Sequence, residues 1–318
     1  MKSTRRAHQS MIVSTLLVAT SFPVVAAIAG ELPSIVLTLV RFALAVLLFL
    51  PLVALRHRKE MLPDWRSLAR YGLLSAPLVG FFLAMFEALR TTTAVNTGAL
   101  YALVPIFAAL IAYFLVGEKI QGRRAIALVA GMVGALWVVF RGDPARALEF
   151  DVSVGDALFL AGTVSLGLYV VLVKRMHRGE PMAVMTFWTL VTGTGWLLIF
   201  GWNDLTAARW DAVESRTMVA IGYLALFTTL ITFLLTQNAV TVIGPTRTMA
   251  YSYLNPALVA LLAWALGEAA IGWRAVPGVA LTFVSMAILQ RSAPGLADTG
   301  RYSAEAQAGI RRCAERSL

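Results

Sequence analysis

Long apolar stretches alternate with short polar ones along almost the whole 318-residue chain. The stretches are 17 to 24 residues long, which matches the roughly 20 residues that a helix needs to cross the hydrocarbon core of a bilayer. The pattern predicts an all-α integral membrane protein with ten transmembrane helices, five in each half. These helices are expected at residues 11–29, 34–55, 71–89, 95–116, 124–140, 157–173, 182–202, 218–239, 243–266 and 274–290.

The second half of the chain repeats the first at an offset of 150 residues. The matches need no gap between residue 72 and residue 291, and the most specific is Gly-Glu followed by Gly-x-Arg-Ala, at 117–125 and again at 267–275. Such a match indicates an internal duplication. The predicted parts are an N-terminal cytoplasmic arm at 1–10, a first five-helix repeat at 11–142, a second at 157–290 and a cytoplasmic tail at 291–318.

Basic residues indicate the orientation, because cytoplasmic loops of membrane proteins are enriched in Lys and Arg. With the amino terminus in the cytoplasm, 20 of the 27 basic residues fall on the cytoplasmic side and six on the outer side. The remaining one, Arg41, lies inside a predicted helix. We therefore expect a multi-pass protein of the bacterial inner (plasma) membrane with both termini in the cytoplasm.

An odd number of helices in each repeat places the two repeats in opposite orientations. The loop between the fourth and fifth helices is then cytoplasmic, and it carries Lys119 and Arg123. Ala269 and Trp273 occupy these positions in the second repeat, as expected for a loop on the outer side. Inverted repeats are a recurrent architecture of secondary transporters, which expose one central site to either side in turn. The pattern therefore favours a transporter.

Composition excludes a soluble protein, since 59% of the residues are hydrophobic and 14% are charged. The net charge of +10 comes from bases spread over the predicted cytoplasmic segments, so it indicates topology rather than nucleic-acid binding. The three histidines and the single cysteine lie outside the apolar segments, so we expect no metal site within the membrane. The chain has no Walker-type loop for ATP. We expect neither enzyme activity nor a cofactor.

The first apolar segment has a second interpretation as a cleavable signal sequence. Lys2, Arg5 and Arg6 precede it and Ala-Ile-Ala at 27–29 ends it, which is the arrangement of a secretory signal. Its apolar part is longer than a usual signal core, and cleavage would break the five-plus-five repeat. We therefore favour a retained first helix.

Polar and aromatic residues near mid-membrane are candidates for a substrate site. Tyr101 and Tyr251 are repeat mates, and each precedes a proline, Pro105 or Pro256. A proline inside a helix leaves a carbonyl without its partner, and membranes tolerate such backbone where it lines a cavity or is covered by protein. We expect kinks at a cavity at Pro23, Pro105 and Pro256; the alternative is a role in helix packing alone. The predicted substrate-binding residues are Tyr101, Tyr251, Asn255, Asn96, Gln237 and Tyr169.

Ionisable residues within the predicted spans are few, and charges there are costly and commonly functional. Arg41 lies seven residues from the outer end of the second helix, or ~10 Å at 1.5 Å per residue. Glu87 lies near the outer end of the third. Arg41 could receive a substrate carboxylate, and Glu87 could carry a proton for coupling or hold an amine. The alternative is a structural ion pair between them, or a Glu87 that reaches interfacial water.

Small residues recur on two of the predicted helices. Gly131 and Gly134 lie in the fifth helix, and Gly162 and Gly167 lie in the sixth. Because small residues let two membrane helices approach closely, we expect these glycines to mark helix contacts rather than binding positions.

Related segments in the two halves resemble those of a known family. Residues 104–118 run from Val-Pro through an apolar stretch to Gly-Glu, and residues 254–268 run from Leu-Asn-Pro to Gly-Glu. Together with Val-Arg-Phe-Ala at 40–43, they resemble the EamA-like branch of the drug/metabolite transporter superfamily over about residues 11–290. The resemblance implies a ten-helix permease with a central cavity, most often an exporter of amino acids or related metabolites. This chain has Thr-Ser-Phe-Pro at 20–23 where many relatives carry a Trp.

The expected function is secondary transport by alternating access, with export of amino acids or related small metabolites. The expected partners are a small-molecule substrate and the lipid bilayer, without nucleic acid, and the protein is expected to be a monomer. The alternative is a scaffold or regulatory subunit that retains a transporter fold without transport, which a solidly packed centre would favour. A passive channel would need a continuous polar stripe, whereas the helices show scattered Thr, Asn and Tyr.

Overall fold

The computed structural model describes residues 2–28, 30–58, 60–88, 91–92, 94–143, 145, 153–265, 267 and 273–291. The loop that carries Glu268 and the predicted tail beyond Arg291 lie outside these residues. The helices are α1 (Lys2–Ala27), α2 (Ser34–Arg56), α3 (Trp65–Ala88), α4 (Ala94–Tyr101), α5 (Val104–Val116), α6 (Gly122–Val139), α7 (Val154–Met176), α8 (Met182–Ala207), α9 (Ser215–Ala225), α10 (Thr232–Ile243), α11 (Pro245–Ala250), α12 (Asn255–Ala265) and α13 (Val276–Arg291). A π-helical stretch (Leu226–Ile231) joins α9 to α10, and a 3-10 turn (Tyr251–Leu254) joins α11 to α12.

Within the described ranges, nine helical stretches are long and apolar enough to cross a membrane. The predicted span at 243–266 corresponds to α11, the 3-10 turn and α12, which are each too short to cross alone. Large apolar side chains such as Phe114 and Ile126 are exposed on the outside of the bundle, as lipid-facing positions require. The exposed tryptophans Trp202, Trp264 and Trp273 lie near helix ends, where aromatic rings meet the membrane surface. The fold is an all-helical multi-pass membrane protein.

The first helix is longer than the predicted span. α1 begins at Lys2, so the residues expected to form a separate arm are its first turns. This segment contains neither Gly nor Pro, and its polar residues are compatible with a helix that continues beyond the bilayer.

Two predicted spans are interrupted at corresponding positions. α4 and α5 are separated by two residues, and α11 and α12 are separated by the 3-10 turn. Pro105 is the second residue of α5, and Pro256 is the second residue of α12. A proline suits the first turn of a new helix because the N–H groups there have no intrahelical partner.

The most extensive contacts join helices from different halves of the chain. α3 packs against α7 and α8, and α10 packs against α1. α5 packs against α7, and α12 packs against α1. α2 lies against α8, and α6 lies against α13. The largest apolar core, which includes Phe42, Phe82, Leu190 and Val240, is therefore shared between the two halves.

Glycines mark the closest helix contacts, as expected from the sequence. A Cβ on Gly134 of α6 would lie 2.9 Å from the carbonyl oxygen of Gly278 and 2.9 Å from the backbone nitrogen of Thr282, both in α13. These backbone atoms cannot move aside without shifting the helix. The other glycines also face close neighbours in other helices: Gly131 faces Tyr253, Gly162 faces Ala84 and Gly167 faces Ala108.

We expect Gly134→Ala to destabilise the protein by about 1–3 kcal/mol, the usual cost of adding a methyl group to a tightly packed contact. The measurement is the melting temperature of the detergent-purified protein. The control is Gly195→Ala in α8, where an added Cβ would meet nothing within 4 Å. Equal melting temperatures for the two variants would contradict the close contact of α6 with α13.

Candidate functional site

Arg41 of α2 lies at the contact between the two halves, and its side chain is 7% exposed. Its Nε donates to the hydroxyl of Thr229 at 3.3 Å, and its Nη2 donates to Thr229 at 2.9 Å and to Thr228 at 3.4 Å. The ring of Phe82 lies 6.0 Å from the guanidinium carbon. Within the described part of the chain, no carboxylate, that of Glu87 included, lies within ion-pair distance of Arg41. We call Arg41, Thr228 and Thr229 the Arg41 cluster.

The two threonines belong to the π-helical stretch between α9 and α10. Thr228 donates its hydroxyl to the carbonyl of Leu224 at 3.0 Å, and Thr232 donates to the carbonyl of Thr228 at 2.9 Å. A hydroxyl that donates to a carbonyl of the preceding turn competes with the backbone N–H groups for that carbonyl. π-Helical turns are rare and are frequent at functional positions. Sequence reasoning named Arg41 but missed its threonine partners, although three threonines at 228, 229 and 232 in an apolar segment are a signal for them.

The structure brings the predicted residues Tyr169 and Gln237 together. The Gln237 side-chain amide donates to the Tyr169 hydroxyl at 2.9 Å and to Thr189 at 3.4 Å, and its oxygen accepts from Thr186 at 2.6 Å. The side chains of Gln237, Thr186 and Thr189 are fully buried. Both amide N–H groups and the carbonyl oxygen thus have protein partners, as buried polar groups require. In this conformation the network ties α7, α8 and α10 together.

The repeat mates Tyr101 and Tyr251 lie in different surroundings. Tyr101, the last residue of α4, is partly exposed, and its ring lies 6.3 Å from that of Phe81. Tyr251 is 2% exposed, and its hydroxyl lies 2.9 Å from Nδ1 of His8 in α1. Part of the Tyr101 side chain is therefore exposed in this conformation, whereas α1 covers Tyr251.

Asn255 begins α12, directly before Pro256, and is 5% exposed. Its side-chain oxygen is buried and has no hydrogen-bond partner among the described residues. A buried acceptor of this kind costs about 1–3 kcal/mol when it stays unsatisfied. The position therefore suits a hydrogen-bond donor supplied from outside the protein.

Asn96 lies near one end of α7 rather than at mid-membrane. Its side-chain amide donates to a carboxylate oxygen of Asp156 at 3.0 Å, and the hydroxyl of Thr92 donates to the other oxygen. The same carboxylate accepts from the backbone N–H of Ser153 at 2.7 Å, in a capping box at the start of α7. This contact connects the first half of the chain to the second. Sequence reasoning overlooked Asp156 because it lies at the edge of an apolar segment.

A second connection between the halves lies at the other end of α7. Arg70 of α3 forms an ion pair with Glu180 at 3.0 Å and donates to the carbonyl of Met176 at 2.7 Å. Both charged side chains are largely buried. Asp156 and Met176 are 20 residues apart on one helix, a distance of about 30 Å. The two connections therefore lie on opposite sides of the membrane core.

Glu87 and Pro23 complete the set of predicted residues. Glu87 is the second-last residue of α3, and its side chain is exposed. Pro23 lies inside α1 and is partly exposed. Neither residue belongs to the Arg41 cluster.

Known proteins resemble this chain over most of its length. The model of the EamA-like transporter family matches residues 6–140 and 153–291. An uncharacterised transporter, YyaM, of Bacillus subtilis is 23% identical over 73% of this chain and 75% of its own length. An uncharacterised transporter of Archaeoglobus fulgidus is 26% identical over 86% of this chain and 94% of its own. Protein PecM of Dickeya dadantii is 25% identical over 72% of this chain and 76% of its own.

A solved crystal structure shares the fold. It superposes with a TM-score of 0.71 at 20% identity and covers 90% of this chain and 99% of the other. The family model covers both halves of the sequence, including the α2 helix of Arg41 and the π-helical stretch. The chain therefore belongs to the EamA-like transporter family, and it is a membrane transporter rather than an enzyme.

Proposed function

We propose that this transporter works by alternating access and exports amino acids or related small metabolites across the bacterial inner membrane, as a monomer. Its ten transmembrane helices are the nine described spans and a further one formed by α11, the 3-10 turn and α12. They form two inverted five-helix repeats. The observation that carries this proposal is that a contact between two helices recurs between the repeat counterparts of those helices.

The repeat relates α1 to α7, α3 to α9 and α10, and α5 to α12. The contact of α3 with α7 then corresponds to the contact of α10 with α1, and the contact of α5 with α7 corresponds to that of α12 with α1. The repeat also relates α2 to α8 and α6 to α13, and each of these helices contacts its own repeat counterpart. A pseudo-twofold axis produces this arrangement. Because each proposed repeat has five helices, we infer that the axis lies in the membrane plane, as in inverted repeats with two pseudo-equivalent states.

The two connections at opposite ends of α7 could each close one side of the protein in alternate states of the cycle. Asn96 and Asp156 join the halves on the predicted outer side, and Arg70 and Glu180 join them on the predicted cytoplasmic side. We infer that opening to the outside separates the first pair, and that opening to the cytoplasm separates the second. A further contact agrees with the predicted topology, since Nη2 of Arg216 lies 3.7 Å from a carboxylate oxygen of Glu31 and both loops are predicted on the outer side.

The topology can be tested with reporter fusions. We expect a fluorescent protein fused after Arg291 to fluoresce, because the positive-inside bias predicts that this end lies in the cytoplasm. Alkaline phosphatase inserted near Ala147 should be active, since that loop is predicted outside. Phosphatase activity of a fusion at Arg291 would contradict both the helix count and the inversion.

Transport can be tested with purified protein in proteoliposomes and a panel of radiolabelled amino acids and dipeptides. We expect saturable exchange of at least one compound. We expect Tyr101→Ala and Asn255→Ala to raise its half-saturating concentration several-fold because each removes a predicted substrate-binding group. The control is Tyr113→Ala, which truncates an exposed tyrosine of α5. Absence of transport of the whole panel would favour the scaffold interpretation, and wild-type behaviour of both cavity variants would remove these residues from the site.

Glu87 is the proposed coupling carboxylate, because a proton-driven exporter needs a group that changes charge during its cycle. We expect Glu87→Gln to abolish accumulation driven by a proton gradient while exchange of substrate between the two sides continues. The measurements are driven uptake and exchange on the same proteoliposome preparation. Equal loss of both activities, together with a lower melting temperature, would assign Glu87 a structural role instead.

A further inference from the structure

We propose that the Arg41 cluster binds the carboxylate group of the transported substrate. The inference rests on the proposed transport function and adds the residues that recognise the ligand, through the carboxylate that amino acids share with other small carboxylic acids. Three observations carry it: the charge of the site, the donors that remain available there, and the place of the cluster between the two halves.

The charge of Arg41 lacks a described counter-charge. A guanidinium stays protonated in proteins, so Arg41 brings a full positive charge into the bundle. Its described partners are two hydroxyls and the ring of Phe82, and none of these carries a negative charge. Dipoles compensate a buried charge less well than an opposite charge does. A bound anion would supply the missing counter-charge.

The hydrogen-bond geometry leaves donors for such an anion. Nη1 of Arg41 makes no hydrogen bond within the described ranges, and the contact of Nη2 with Thr228 is long, at 3.4 Å. The edge formed by the two Nη atoms can therefore hold a carboxylate through two parallel hydrogen bonds. Thr229 accepts from Arg41, and its hydroxyl proton has no described acceptor, so it can donate to the same anion.

The cluster joins parts that belong to different halves of the chain. Arg41 lies on α2 of the first half, and both threonines lie in the π-helical stretch of the second. A ligand held by all three contacts both halves at once. A ligand shifts a conformational equilibrium only through contacts that differ between the two states. Contacts to both halves meet this condition if the interface between the halves changes during transport.

The test compares amino acids and their 2-oxo acids with the corresponding carboxamides, in which a neutral amide replaces the carboxylate. Binding is measured as the rise in melting temperature of the detergent-purified full-length protein, and transport is measured as exchange in proteoliposomes. For the wild type we expect an acid to bind at least about tenfold more tightly than its carboxamide, as the loss of a charge-assisted bidentate pair implies.

The variants separate ligand binding from a purely structural role. We expect Arg41→Gln to remove the preference for the acid, Arg41→Lys to retain part of it because the charge remains, and Thr229→Val to weaken acid binding several-fold. The matched control is Arg124→Gln, because Arg124 is equally buried, at 6% exposure, but lies at the start of α6. We expect this control to keep the wild-type preference, whatever its stability.

Three outcomes would overturn the proposal, and two of them concern the preference for acids. One is equal binding of acids and carboxamides by the wild type. The other is an Arg41→Gln protein that melts earlier yet keeps the wild-type preference, because Arg41 would then only tie α2 to the π-helical stretch. If acids bind with the expected preference but are not transported, the carboxylate site stands and the transport proposal fails. If other compounds are transported and no acid of the panel binds, the carboxylate site fails and transport stands.

Discussion

The cost of placing polar groups in hydrocarbon is the constraint on which the rest of this structure depends. Backbone N–H and C=O groups inside a bilayer need partners, so the chain crosses as helices and departs from regular helix only where protein covers it. The π-helical stretch illustrates this rule, because Thr228 and Thr232 bond to carbonyls of the preceding turns. The same stretch places hydroxyls beside Arg41, so one irregular turn serves both the backbone and the buried charge.

Packing between the halves constrains how the protein can move. Because the broadest contacts join α3 to α7 and α6 to α13, a movement of one whole half against the other would break most of the core. The units of the proposed cycle are therefore expected to mix helices from both halves, such as α3, α5 and α7 in one bundle and α1, α10 and α12 in its counterpart. Glycine contacts such as Gly134 with Gly278 hold the α6 and α13 pair together outside these bundles.

Features set by local sequence could be predicted, whereas those that need contacts between distant segments could not. The apolar segments, the interruptions before Pro105 and Pro256 and the glycine contacts follow from residue type and spacing. The bond of Asn96 to Asp156 joins residues 60 apart, and no local pattern indicates it. Tyr251 is covered by α1 whereas its mate Tyr101 is partly exposed, and this difference depends on how the helices assemble.

The Arg41 cluster breaks the symmetry of the fold. The offset of 150 residues relates Thr228 and Thr229 to Leu78 and Val79, which are buried apolar residues of α3. α8, the counterpart of α2, contains no basic residue. The proposed duplication would thus supply two pseudo-equivalent conformations, while the Arg41 cluster has no charged counterpart at the repeat-related positions among the described residues. One such site, exposed to each side in turn, is what the proposed alternating access requires.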